Sequence, residues 1–234
     1  MNLDALVESL PMFGDGLVTT SKLLAASLAC GLALAIPLGV ARASAHRWLC
    51  WPVWAYTYVM RGTPMLVQLF IIYYGLAQFE IVRESVAWPW LSSAWFCAAL
   101  TFTLNTAAYT AEIVAGCIKS TPRGEIEAAR SLGMSGRSVL LRIVLPSALR
   151  RALPAYSNEV VMMLHGTSLA SIVTLMDITG AAREMYARFY LPFEAFIAAG
   201  LIYLVLTFFL VFLFRRAETM WLAHLQPRRP GAAH

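Results

Sequence analysis

Long apolar stretches alternate with short polar segments along this chain. A helix that spans a bilayer needs about 20 mostly apolar residues. Five stretches meet that length, at roughly 17–41, 60–80, 91–116, 152–176 and 193–214. Pro37 and Pro64 are expected near helix ends, where a missing N–H group is tolerated. The pattern predicts an all-α membrane protein with five transmembrane helices, folded as a single domain over residues 1–234.

One polar insert, residues 119–150, is more ordered in its pattern than a solubilising loop requires. Hydroxyl side chains suit helix caps, proline suits a first turn or a break, and glycine suits a left-handed helix end. The pattern predicts two short helices joined at a glycine. The signals are Thr121 and Pro122 at the first start, Gly133 at the first end, Ser135 at the second start and Leu145-Pro146 as a break before the next span.

The composition agrees with a membrane location. Hydrophobic residues make up 59% of the chain and charged residues 13%, against about 25% charged in soluble domains. The net charge of +5 raises the question of nucleic acid, but no basic stripe with interleaved aromatic residues is present, so no nucleic-acid partner is expected. The four cysteines form no C-x-x-C pair. We therefore predict no metal site.

The basic residues predict the orientation in the membrane. Five spans divide the 18 lysines and arginines into 14 on one side and 4 on the other. Cytoplasmic loops carry the excess of positive charge. The polar insert and the C-terminus are therefore expected in the cytoplasm, and the N-terminus outside.

The chain offers no ATP site of the phosphate-loop kind. That motif needs a glycine before its lysine, whereas Lys22 follows Ser21 and Lys119 follows Ile118. No motif of a catalytic site is present either, so no catalytic residue and no enzyme activity are predicted. Any energy that its function requires must come from a partner protein or from an ion gradient.

Polar residues inside the spans are candidates for a substrate pathway, because they are costly in lipid and usually face a cavity or the bundle interior. Glu159 has no basic residue one turn further along its helix, which suits a cationic substrate. For several candidates a structural role is equally open: Glu112 can pair with Lys119 or Arg123, Asn105 and Tyr109 can join helices, and His165 can be a packing residue. The full candidate set is Asn105, Tyr109, Glu112, Asn158, Glu159, His165 and Ser168.

Several motifs resemble those of one transporter family. The spacing Glu127-Ala128-Ala129, Gly133, Ile143 and Leu145-Pro146 matches the EAA loop of ABC importer permeases. The motif Arg61-Gly62-Thr63-Pro64 followed by LVQLF, together with TLNTAAYTAEI, LPSALRRALPAYSNEV and TSLAS, is similar to the permeases of polar amino acid importers. The similarity extends over nearly the whole chain and is greatest to the histidine, lysine, arginine and ornithine type and to opine importers.

The resemblance implies a type I ABC permease fold in the bacterial inner membrane. It also implies a second, paralogous permease subunit, two copies of a cytoplasmic ATPase that binds ATP and Mg²⁺, and a periplasmic amino acid-binding protein, with no cofactor held by this chain. In that family the EAA loop docks on the ATPase. His165, where many relatives carry lysine, favours basic substrates. The alternative is a secondary transporter with an ion relay on Glu112, Glu159 and His165.

Overall fold

The computed structural model describes residues 3–222, and within that range every regular element is helical. The all-α prediction is therefore confirmed for the described residues, while the predicted domain of residues 1–234 and its C-terminus extend beyond them. The helices are α1 (Leu3–Ala43), α2 (Arg47–Gly62), α3 (Met65–Gln78), α4 (Glu80–Arg83), α5 (Trp88–Leu91), α6 (Ala94–Lys119), α7 (Arg123–Ser131), α8 (Gly136–Val173), α9 (Ile178–Phe189) and α10 (Pro192–Leu222).

Helix α6 is the centre of the bundle and packs against α1, α2, α3 and α8. Half of its 26 residues are buried. Gly31 and Gly39 of α1 face Thr106 and Val114 of α6 so closely that an added Cβ atom would collide with these side chains. Small residues allow this approach of two helix backbones, as they do in many membrane bundles.

The apolar character of the helices differs between the centre and the edge of the bundle. Helices α1 and α10 are each long and apolar enough to cross a bilayer, and the bent pairs α2–α3 and α8–α9 qualify when each pair counts as one span. Helix α6 is not among them, although its 26 residues rise about 39 Å. Its buried face is rich in threonine and alanine because neighbouring helices, rather than lipid, cover it.

The second predicted span, 60–80, is not one helix. Helix α2 ends at Gly62, Thr63 is extended (φ −116°, ψ 145°), and α3 leaves at an angle of 104° to α2. The residue before a proline is disfavoured in the helical region, and Pro64 has no N–H to donate. Pro64 thus forms a sharp bend. Pro37, expected near a helix end, lies inside α1, which continues to Ala43.

The predicted break at Leu145-Pro146 is wrong. Helix α8 runs through both residues, and a π-helical segment over Leu140–Val144 comes directly before them. Such a segment changes the hydrogen-bond pattern where the proline lacks its N–H, so the helix can continue. The second helix of the polar insert and the predicted span 152–176 therefore belong to one helix that ends at Val173.

Candidate functional site

A polar cavity of about 620 Å³ opens at the bend between α2 and α3, and we call it the bend cavity. It brings the Arg61–Pro64 motif together with four of the seven predicted pathway residues. Helices α6 and α8 supply the opposite walls. Its lining consists of Arg61, Gly62, Thr63, Pro64 and Met65 from the bend, Asn105 and Tyr109 from α6, and Asn158, Glu159, Met162 and Met163 from α8.

The bend is held by a buried amide that sequence reasoning missed. Where α2 stops, the carbonyl groups of Met60 and Thr63 lose their helical partners. The side-chain nitrogen of Gln68 donates to both, at 2.8 and 3.1 Å. Asn105 in turn donates to the Gln68 side-chain oxygen at 3.0 Å. Asn105 therefore joins helices as well as lining the cavity. The sequence signal for this role is the glutamine itself, which lies four residues after Pro64 within an apolar run.

Replacing Gln68 with leucine should destabilise the bend. The change removes the Gln68 hydrogen bonds to the Met60 and Thr63 carbonyls and to Asn105, and leaves only the 3.4 Å contact from the Asn105 amide to the Met60 carbonyl. A buried polar group left unpaired costs about 1–3 kcal/mol. We expect the midpoint of thermal unfolding in detergent to fall by about 5 °C or more. Gln78→Leu is the matched control, because Gln78 is exposed and makes a single 3.5 Å contact to Tyr74. Equal midpoints for the two variants would contradict the assigned role.

The bend cavity holds one acidic and one basic side chain on different walls. Glu159 is buried, with 8% of its surface exposed, and no lysine or arginine in residues 3–222 lies within ion-pair distance of it. No basic residue lies one turn further along its own helix, as expected, but the bend brings Arg61 to the same cavity. The Arg61 guanidinium lies 5.2 Å from the centre of the Tyr109 ring, a cation–π contact. A solute with both charges thus finds a partner for each.

Glu112 lies outside the bend cavity. It forms an ion pair with Arg42 of α1 at 2.7 Å and accepts a hydrogen bond from Thr57 of α2 at 2.7 Å. The structural alternative was therefore correct in kind, but the partner is Arg42 rather than Lys119 or Arg123. The pair ties three helices together beside a smaller cavity of about 360 Å³ that also reaches Arg61.

His165 and Ser168 also lie outside the residues that line the bend cavity. His165 is exposed, and its Nε2 atom is 3.2 Å from the Thr207 hydroxyl of α10. Ser168 donates to the His165 carbonyl at 2.7 Å. Both sit on α8 beyond Glu159, so they are placed along the same helix without sharing its cavity.

The polar insert folds as α7 and the first turns of α8. Gly133 has φ +78°, the left-handed conformation predicted for it, and the Ser135 hydroxyl accepts from the Ser138 N–H as the predicted cap. At the start of α7 the prediction is off by one residue: Pro122 occupies the cap position, and Thr121 lies before it. A small apolar core holds the two helices together, formed by Ala129, Val139 and Val144 with Ile118, Ile126, Met134, Leu140 and Ile143.

The family motif residues divide into an outer and an inner set. Glu127, Ala128 and Gly133 are exposed on α7 and the turn that follows it. Ala129 is buried in the small core. The remaining motif residues, Ile143, Leu145 and Pro146, are half-buried on α8. The exposed motif residues thus form one accessible surface of the insert, while the buried and half-buried ones pack α7 and the start of α8 together.

Comparison with known proteins gives one consistent result. Residues 31–219 match the family model described as "binding-protein-dependent transport system inner membrane component". The octopine transport system permease protein OccM of Rhizobium meliloti is 47% identical over 92% of this chain and 88% of its own length. The histidine/lysine/arginine/ornithine transport system permease protein HisM of Escherichia coli is 46% identical over 91% of this chain and 90% of its own.

A solved structure shows the same fold. A chain of an amino acid ABC transporter with histidines has a TM-score of 0.83 and 30% sequence identity, covering 94% of this chain and 99% of the other. The helical arrangement described above is thus that of an ABC permease subunit.

Proposed function

The chain belongs to the family of binding-protein-dependent transport system inner membrane components, as a permease subunit of an ABC amino acid importer, and we propose that it carries basic amino acids or opines. The observation that supports this substrate class is the bend cavity. Glu159 offers a carboxylate to a cationic side chain, and Arg61 offers a guanidinium to a carboxylate. HisM and OccM are named for histidine, lysine, arginine, ornithine and octopine.

We further propose five membrane spans: α1, the bent unit α2–α3, α6, the membrane part of α8, and α10. With this count, 14 of the 18 basic residues fall on the side of the polar insert. The positive-inside rule then puts the insert and the C-terminus in the cytoplasm and the N-terminus in the periplasm. The exposed aromatic residues of α2, Trp48, Trp51 and Trp54, suit a membrane interface.

The polar insert is proposed to receive work from a partner ATPase. Its exposed surface carries Glu127 and Ala128, and Gly133 makes the sharp turn that presents them. Because this chain has no phosphate-loop motif, ATP and Mg²⁺ are proposed to bind to the ATPase, with no cofactor on this chain. Movement of the ATPase would then reach the bend cavity through α8, which carries both the insert's second helix and Glu159.

The remaining partners follow from the same proposal. A periplasmic amino acid-binding protein delivers the substrate on the outer side. A second, paralogous permease subunit completes the membrane pathway, as the resemblance to importer permeases implies. Membrane lipid covers the apolar outer face of α10, where only 6% of the most apolar stretch is buried.

Reconstitution tests this function directly. We expect proteoliposomes that hold this chain, its paralogue and the ATPase to take up arginine and lysine only when ATP and the loaded binding protein are both present. A preparation without ATP, but with proton and sodium gradients, is the control. Uptake driven by a gradient without ATP would contradict the proposal and favour the secondary transporter.

A further inference from the structure

Two adjacent arginines at the base of α8 have different surroundings. Arg150 is exposed, as expected for a residue that only contributes positive charge to the cytoplasmic side. Arg151 is half-buried, and its guanidinium reaches the end of another helix: one Nη atom donates to the Cys117 carbonyl at 2.9 Å and to the Thr121 hydroxyl at 2.8 Å, and the other donates to Ser147 at 2.7 Å.

The acceptors of Arg151 lie where α6 ends and the polar insert begins. Cys117 is in the last turn of α6, whose carbonyl groups lack helical partners and carry partial negative charge. Thr121 is nearly fully buried just before α7. A cation at this point caps α6 and holds the start of α7. The Nε atom of Arg151 is buried without a hydrogen-bond partner, which costs free energy. The hydrogen bonds of the two Nη atoms therefore hold the guanidinium in this position.

The contact changes how α7 can move. Its far end is joined to α8 by the short turn over Gly133 and Ser135. Its near end is joined to α8 by Arg151 through Thr121. The small apolar core holds the middle of α7 against α8, and Arg151 adds a polar attachment at its near end. With both ends attached, α7 and α8 move as one body, and Glu159 lies eight residues, or about 12 Å, further along that same helix.

We propose that Arg151 is a positioning residue that couples the polar insert rigidly to the membrane part of α8. This inference rests on the proposed function, in which α7 docks on the ATPase. Thr121 supplies the hydroxyl that accepts from Arg151 at the start of the polar insert. Arg151 touches neither substrate nor nucleotide in this proposal; it acts through the helix that it anchors.

The test compares Arg151→Met with Arg150→Met in the complete complex in proteoliposomes. Methionine keeps much of the apolar stem but donates no hydrogen bond. We expect the Arg151 variant to assemble and hydrolyse ATP while the ATP consumed per arginine imported rises about tenfold, the scale of one lost charged hydrogen bond. Arg150→Met should match the wild type, and Arg151→Lys should recover part of the coupling.

A second variant keeps the inference open to refutation if Arg151→Met assembles poorly. Thr121→Val removes the acceptor with little change of shape, and it should raise the same ratio without adding to the effect of Arg151→Met. An unchanged ratio in both variants would overturn the inference. Gly133→Trp separates the two proposals. If it uncouples transport from ATP hydrolysis while the Arg151 and Thr121 variants do not, only the role of the Arg151–Thr121 contact is refuted. If no variant uncouples them, docking of the polar insert on the ATPase is refuted as well.

Discussion

Replacing Gly133 with tryptophan is expected to leave the subunit inserted and assembled but to abolish transport-coupled ATP hydrolysis. Gly133 has φ +78°, where a residue with a side chain is strained by about 1–2 kcal/mol. Nothing lies within 4 Å of an added Cβ atom, so the new side chain would meet no resistance from this chain. The indole would instead project from the exposed turn beside Glu127 and Ala128, where the ATPase is proposed to dock.

Three variants separate the backbone effect from the effect of bulk. Gly133→Asn should keep most of the activity, because asparagine tolerates the left-handed conformation. Gly136→Trp adds the same indole three residues away, at a glycine that also has open space and an ordinary φ. Substrate-stimulated ATP hydrolysis and uptake are measured for each complex, and we expect Gly133→Trp to fall below about a tenth of the wild-type rate. Normal transport by Gly133→Trp would refute the docking role.

The polar insert could be predicted in detail because its signals are local. A left-handed turn favours glycine, and a free N–H in a first turn favours a capping side chain such as serine. Both signals occur within a few residues, at Gly133 and Ser135. The start of α7 was missed by one residue because Thr121 has a distant partner. Its hydroxyl accepts from Arg151, 30 positions away, and no side chain caps the first turn of α7.

The two prolines show where local rules stop. Pro64 and Pro146 each remove a helix hydrogen bond, yet one ends its helix in a bend of 104° and the other lies within a continuous helix. At Pro64 the freed carbonyls are satisfied by Gln68, which Asn105 of α6 supports. At Pro146 a π-helical segment changes the pairing within the same helix. Which outcome occurs depends on which groups satisfy the freed carbonyls, and the residues next to each proline do not reveal those groups.

The bend cavity was predictable in part. Polar residues at helical spacing within apolar runs identified Asn105, Tyr109, Asn158 and Glu159, and all four line it. Arg61 was recognised only as a motif residue, because its position beside Glu159's cavity requires the bend. Likewise Glu112 pairs with a residue 70 positions away, so no spacing rule could find its partner.

Replacing Glu159 with glutamine is expected to lower the uptake of basic amino acids while assembly and ATP binding persist. Glutamine has nearly the same shape, so the cavity keeps its form and loses one charge. A hydrogen bond to a charged group contributes about 1.5–3 kcal/mol. We therefore expect the apparent affinity for arginine and lysine to fall about 10- to 100-fold, with a much smaller change for a neutral polar amino acid if one is carried.

Protein stability distinguishes this role from a structural one. Glu159 is buried and has no ion-pair partner among the described residues, so removing its charge relieves a cost and should leave the unfolding midpoint unchanged or raise it. Glu112→Gln is the matched control, because it breaks the ion pair with Arg42 and should lower the midpoint. Unchanged uptake kinetics in Glu159→Gln would refute a substrate role. A lower midpoint with equal losses for charged and neutral substrates would instead make Glu159 a packing residue, since a group that only binds the cationic side chain cannot affect a substrate that lacks one.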